Sequence, residues 1–171
     1  MNQTPHTLYK LIVLYMLNRV NFPLTRAQIS EFILEKGYTN YITLQEVFSD
    51  LTSDAYVTEE VIGNRTHLSL TAEGLQTLDY FKNRISPQIK EEIQQFLVNN
   101  HQQLKDEVSV QAQYYKSTSG EYTAELVAKD NKTPLISLSL TVPTEEMAAE
   151  ICDNWHKKNQ DIYQYLIGEL F

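Results

Sequence analysis

The chain has 171 residues, 42% of them hydrophobic and 21% charged, with one cysteine. Those values suit one large or two small globular domains, exclude an intramolecular disulfide, and leave no apolar run near the ~18–20 residues that cross a bilayer. The net charge of −8 is uneven: residues 1–85 carry seven Lys/Arg against nine Asp/Glu and residues 86–171 seven against thirteen, so neither half has the basic excess usual in a nucleic-acid-binding domain.

Thr4-Pro5 opens a first helix, with Thr4 as N-cap and Pro5 at the first helical position, where a missing N–H costs nothing. From Leu8 to Leu17 this helix is apolar nearly all round, and such a helix is buried on most faces. So much apolar surface near the N-terminus predicts a homodimer, with Leu8, Leu11, Leu14, Tyr15, Ile93 and Phe96 in the interface. Next, Thr25 and Gln28 form a capping box, Leu24 and Ile29 a hydrophobic staple, and Gly37 closes the helix. The same grammar is read in Thr43 with Glu46 and in Ile42 with Val47, over a buried stripe of Leu44, Val47, Phe48 and Leu51. Two short capped helices joined by residues 38–42 read as a helix-turn-helix pair.

Residues 56–62 are rich in β-formers, Gly63-Asn64 signals a type II′ turn, and Arg65–Leu70 is a second strand, so a hairpin follows as the wing. Thr71 caps a further helix with Leu75, Leu78, Phe81 and Ile85 inside. Ser86-Pro87 starts a helix expected to end near Asp106. Val108, Val110, Ala112 and Tyr114 then alternate, as do Tyr122, Ala124, Leu126 and Ala128, and Ile136, Leu138, Leu140 and Val142. Such alternation predicts three antiparallel strands with one buried face. A helix over residues 144–158 covers that face, with Trp155 at the centre of the core between them, and a separate helical stretch through Tyr163 and Leu170 ends the chain. The expected fold class is α+β: a winged helix-turn-helix over 1–85, a connecting helix over 86–107, and over 108–171 a small three-stranded antiparallel sheet packed on C-terminal helices.

Several phrases carry a family resemblance: Leu14-Tyr15-Met16-Leu17, Leu24-Thr25 leading to Glu31-Phe32, and Asn40-Tyr41-Ile42-Thr43-Leu44-Gln45. Others are Leu68-Ser69-Leu70-Thr71-Ala72-Glu73-Gly74, Gly120-Glu121-Tyr122 and Ile151-Cys152-Asp153-Asn154-Trp155. With its order of elements, the chain resembles a bacterial domain-of-unknown-function family, numbered four-three-six-four. That family carries no established activity. The N-terminal half also resembles the winged helices of PadR- and MarR-type regulators, which share the Leu-Thr-x-x-Gly phrase as a structural signature.

No catalytic or cofactor motif is legible. The four histidines lie on separate elements without ligand spacing, the glycines are isolated, and Cys152 sits on an apolar stripe, so no metal, cofactor or enzyme activity is expected. Tyr114, Tyr115, Tyr122, Tyr163 and Tyr165 are read as core filling with wet polar tips rather than as a pocket for a ligand. No targeting segment is visible, and a cytoplasmic location without membrane contact is expected.

Residues 43–54 bear on DNA most directly. Helical spacing turns Glu46, Ser49, Asp50 and Ser53 outward, a face with two carboxylates and no cation. Phosphate contacts supply most DNA affinity, so this face repels what it should approach. Candidate DNA contacts are Arg26, Thr39, Asn40, Thr43, Gln45, Ser49, Asn64, Arg65 and His67, with Lys82 and Arg84 as flanking cations. Fold analogy favours a dimeric winged-helix transcriptional regulator that binds double-stranded DNA. Its C-terminal domain would sense a small-molecule or protein ligand or support dimerisation. Charge favours the alternative, a protein-interaction module on the same scaffold without DNA binding. The discriminating feature is whether Arg26, Arg65, Lys82 and Arg84 converge on one surface.

Overall fold

The computed structural model describes residues 4–62, 64–130 and 133–171, with the backbone alone at 107 and 108. Among these residues the chain is α+β, with six α-helices and two three-stranded antiparallel sheets. It divides into a first unit ending at Lys105 and a second, Asp106–Phe171.

The first unit runs α1 (Pro5–Asn18), β1 (Leu24–Thr25), α2 (Arg26–Glu35), α3 (Tyr41–Ser53), β2 (Val57–Ile62), β3 (Arg65–Leu70), α4 (Ala72–Phe81), a 3-10 turn (Lys82–Arg84) and most of α5 (Pro87–Ser109). Thr4 caps α1 with Pro5 in its first turn, and Thr25 and Gln28 make the expected capping box on α2. Gly37 closes α2 at φ 69°, and Ala55 takes the same left-handed position after α3 at φ 59°. Each helix ends with the same pair of bonds: Gly37 and Tyr38 donate to Leu34 and Ile33, and Ala55 and Tyr56 donate to Thr52 and Leu51.

The second capping box does not form. Asn40 caps α3, its Oδ1 accepting the Thr43 N–H at 2.9 Å, so the helix starts at Tyr41 and Thr43 already lies inside it. Asn is as good an N-cap as Ser and better than Thr, which is why the earlier residue wins. Ile42 then sits on the outer face, 73% exposed, and cannot staple to Val47. Asn64 has φ 63°, whereas a II′ turn needs a negative value there; Gly63 lies outside the described residues.

The apolar girdle of α1 is satisfied within one chain. Leu11, Ile12, Val13, Leu14, Met16 and Leu17 are all buried, as is Ile93, and α1 packs against α3, α4, β3 and the 3-10 turn. Leu8, Tyr15 and Phe96 are half-buried against the same core, and the Phe96 ring lies 5.2 Å from that of Phe32. The six residues expected at a dimer interface therefore belong to the core of this unit. Packing of α3, α4, β3 and the 3-10 turn around one helix accounts for its pattern within one chain. Leu75, expected inside α4, is exposed, while Leu78 and Ile85 are buried.

The second unit holds β4 (Val110–Lys116), β5 (Tyr122–Asp130), β6 (Thr133–Val142) and α6 (Glu145–Leu170), with strand order β4-β5-β6. Nothing between His101 and Ser109 breaks a helix, so α5 continues through Val108 until pairing of Val110 with Ala128 starts the sheet. The side chain of Val108 lies outside the described residues. For the same reason the two expected C-terminal helices are one: residues 145–167 contain neither Gly nor Pro. Trp155 is 1% exposed in a core with Ala124, Leu126 and Cys152, and its indole Nε1 donates to the Val127 carbonyl at 3.2 Å.

Candidate functional site

The helix pair α2–α3 and the β2–β3 hairpin hold most of the residues singled out for ligand contact. In the sheet, ordered β1-β3-β2, Leu24 and Thr25 of β1 pair with Leu68 and His67, and Val57–Ile62 pair with the other edge of β3 down to Ile62 opposite Arg65. Being central, β3 is paired along both edges, and its neighbours His67 and Leu68, which point to opposite faces, are both buried. His67 is 3% exposed, its Nδ1 lies 3.2 Å from the Arg65 carbonyl oxygen, and it is not placed on the surface as a DNA contact would be. Asn64 and Arg65 do lie exposed at the hairpin end, and Thr66 is half-buried.

Arg26 departs from its expected role. Its guanidinium donates to Glu59 Oε1 and lies 5.4 Å from the centre of the Phe48 ring. Thr52 of α3 donates to the same carboxylate oxygen at 3.0 Å. Glu59 thus ties the hairpin to both helices. Sequence reasoning missed it, because alternation along β2 shows only that Glu59 is polar. Lys82 pairs with Asp79 at 3.1 Å, and the Arg84 guanidinium lies 4.5 Å over the Phe81 ring. Arg26 is therefore engaged by the hairpin, and Lys82 and Arg84 of the 3-10 turn by side chains of α4.

Asp50 also lies elsewhere than spacing alone implied. Asp50 and Asp54, four residues apart, share the flank of α3 that faces α1. His6 Nε2 is 2.7 Å from Asp50 Oδ2, and Lys10 Nζ lies 3.2 Å from Asp50 and 3.3 Å from Asp54. The His6 hydrogen bond, followed by that of Lys10, holds the Asp50 carboxyl below its ordinary value. A depressed folded-state pKa contributes stability above the unfolded pKa and loses it as the pH falls through the folded one. The clamp is accordingly expected to hold at neutral pH and to fade below about pH 4. Urea midpoints measured against pH should fall in that range for the native chain and fall less for Asp50→Asn; parallel curves would show that the pair contributes nothing.

The outer stripe of α3 is then Ile42, Glu46, Ser49 and Ser53, all exposed, with Gln45 and Thr43 half-buried at its border and Asn40 exposed at its head. Thr39 is half-buried in the turn before it. Tyr38, in that turn, donates to Glu92 of α5, and its ring lies edge-on to Phe32 at 5.8 Å. Burial first, then the Glu92 bond, raises the Tyr38 hydroxyl above its usual range, and the same bond lowers Glu92. The turn that aims α3 is thereby fastened to α5.

In the second unit the tyrosines lie outside the buried core, Tyr122 and Tyr163 half-buried. Tyr114, Tyr115 and Tyr165 are exposed, and Tyr114 and Tyr115 donate to Glu145 and Glu125 at 3.3 Å each. Burial pushes the Cys152 thiol upward, away from the reactive thiolate. Among the described residues no group of three or more His, Cys, Asp or Glu converges as metal ligands would, and no helix is long and apolar enough to cross a membrane.

No curated protein and no solved structure matches the chain. The family model described as Domain of unknown function (DUF4364) matches residues 9–170, and the chain belongs to that family.

Proposed function

We propose that residues 4–85 are a winged helix-turn-helix that binds double-stranded DNA, weakly and mainly through its wing, within a transcriptional regulator. In this reading α2 and α3 are the helix pair and β2–β3 the wing. The observation that carries it is the order β1-α2-α3-β2-β3 with strands arranged β1-β3-β2, so that a hairpin follows directly on the second capped helix and is tied to it through Glu59. In DNA-binding helix-turn-helix proteins the second helix offers its N-terminal residues to the major groove. Here those are Asn40, Thr43, Gln45 and Ser49, at a helix N-terminus whose dipole favours phosphate. With Asp50 and Asp54 turned to His6 and Lys10, Glu46 is the carboxylate left on the outer stripe.

Fluorescence anisotropy on mixed genomic duplexes at low salt tests the reading. Arg65→Ala is expected to weaken binding across all sequences, and Glu46→Gln to strengthen it about three- to tenfold by removing like-charge repulsion near phosphate. Neither the native chain nor Glu46→Gln binding any duplex at low salt would overturn it. A protein-docking module is then the second reading. It is favoured by exposed apolar side chains on the same elements, Tyr41 and Ile42 on α3 and Val61, 71% exposed, on the hairpin. The engagement of Arg26 by Glu59 favours it too.

A further inference from the structure

We infer that the free edge of β6 is a self-association surface, pairing antiparallel with β6 of a second copy of this chain. The inference is independent of what residues 4–85 bind. Among the described residues β6 pairs only with β5, leaving alternate N–H and C=O groups of a ten-residue strand unpaired along its other side. Edges of this length are ordinarily blunted by Lys, inward-pointing charges or a bulge on the free side. In β6 there is no charged residue at all from Thr133 to Val142, in a chain with 36 charged side chains and a net charge of −8. Pro134 and the register shift that leaves Leu135 without a partner on β5 interrupt only the start of the strand, and Ile136–Val142 carries neither device. Two copies of an acidic chain can therefore meet at this strand without charge repulsion, whereas a charged peptide would find nothing there to pair with.

Coverage of the sheet points the same way. Helix α6 lies chiefly over β4 and β5, and Leu140, on the helix-facing side of β6, is left 42% exposed and outside the core. Antiparallel pairing centred on Leu138 sets Leu140 opposite the partner's Ile136 and Ser137 opposite the partner's Ser139. Because residues opposite one another share a face, the aliphatic side chains stay together on the helix side and the hydroxyls on the other. The result is one six-stranded sheet whose middle pair is β6 with the partner's β6.

The test uses the full chain and sedimentation equilibrium. The native protein is expected to form a concentration-dependent dimer by about 100 µM. Ser137→Lys with Ser139→Lys places Lys opposite Lys twice across the pair and should weaken the dimer about tenfold. These positions are exposed, and unchanged Trp155 emission would show that the unit still folds. Ser137→Glu with Ser139→Glu should weaken it likewise, and mixing the Lys and Glu variants should restore dimers of mixed composition. A native chain monomeric at that concentration would overturn the inference. So would a dimer that both variants leave unchanged, or a mixture with no preference for mixed pairs.

Discussion

Replacing Trp155 by alanine is expected to cost about 3–5 kcal/mol, the range for a fully buried large aromatic truncated in place. The size of the core makes the upper part of that range the expected one. Its buried members are Ala124, Leu126, Cys152 and Trp155, ringed by half-buried Val110, Ala112, Ala128, Ile136, Leu138, Ile151 and Ile162. Of the four, three are small or medium, so nothing nearby can swing into the space the indole leaves. The truncation also removes the indole N–H bond to the Val127 carbonyl. Trp155→Phe keeps most of the apolar volume and loses that hydrogen bond, worth about 0.5–1.5 kcal/mol. Urea unfolding followed by circular dichroism separates the two variants, and a loss under about 1 kcal/mol for Trp155→Ala would show that α6 is not docked through this residue.

Gly74→Ala is expected to destabilise the first unit by about 3 kcal/mol, the upper end for forced overpacking. Helix propensity alone predicts the opposite sign, since alanine is better than glycine in a helix by about 1 kcal/mol. Sterics decide the matter. A Cβ on Gly74 would stand 2.1 Å from the Tyr56 carbonyl oxygen and 2.9 Å from Leu70 Cδ1. The Tyr56 carbonyl cannot easily withdraw, because it accepts the Thr71 N–H at 3.1 Å. Thr71 is fixed in turn: its hydroxyl donates to the Ala55 carbonyl at 2.7 Å and accepts the Gly74 N–H at 3.0 Å. The Leu70-Thr71-Ala72-Glu73-Gly74 phrase is thus one device. Thr71 caps α4 and grips the end of α3, and the missing side chain at Gly74 lets the two elements touch. Gly168, with nothing within 4 Å of its would-be Cβ, is the control. Gly168→Ala should raise stability by up to about 1 kcal/mol in the same experiment. Shifts of opposite sign at the two glycines, the larger at Gly74, support the steric argument; a stabilised Gly74→Ala chain contradicts it.

Local signals in the sequence carried the element order and much of the fold. Thr4-Pro5, the Thr25–Gln28 box, Gly37 and Thr71 each act within a few residues, and each sits where its hydrogen-bonding chemistry puts it. Period-2 alternation likewise located β5 and β6, and the apolar face of α6 led to Trp155. Errors arose where two local signals competed or where a distant element intervened. Asn40 and Thr43 both offer caps, and spacing alone did not rank them. Hydrophobicity showed that α1 is buried on nearly every side, yet it could not say by what, and tertiary packing within one chain supplied the answer. The site was least legible. Nothing local to Asp50, Arg26 or His67 shows that the first meets His6 and Lys10, that the second meets Glu59, or that the third lies in a central strand.

The charge partners found for Arg26, Lys82 and Asp50 bear directly on how DNA would be held. A protein that grips duplex DNA through few cations neutralises few phosphates, and each neutralised phosphate contributes a slope near −0.9 to log K against log salt. The decisive measurement is a salt titration of duplex binding by the unaltered chain, by anisotropy from about 20 to 200 mM monovalent salt. Weak binding that falls with a slope of about −2 to −4, and a slope smaller by about one in Arg65→Ala, is the result this account predicts. Absence of binding at the lowest salt, or binding whose slope Arg65→Ala leaves unchanged, would contradict it.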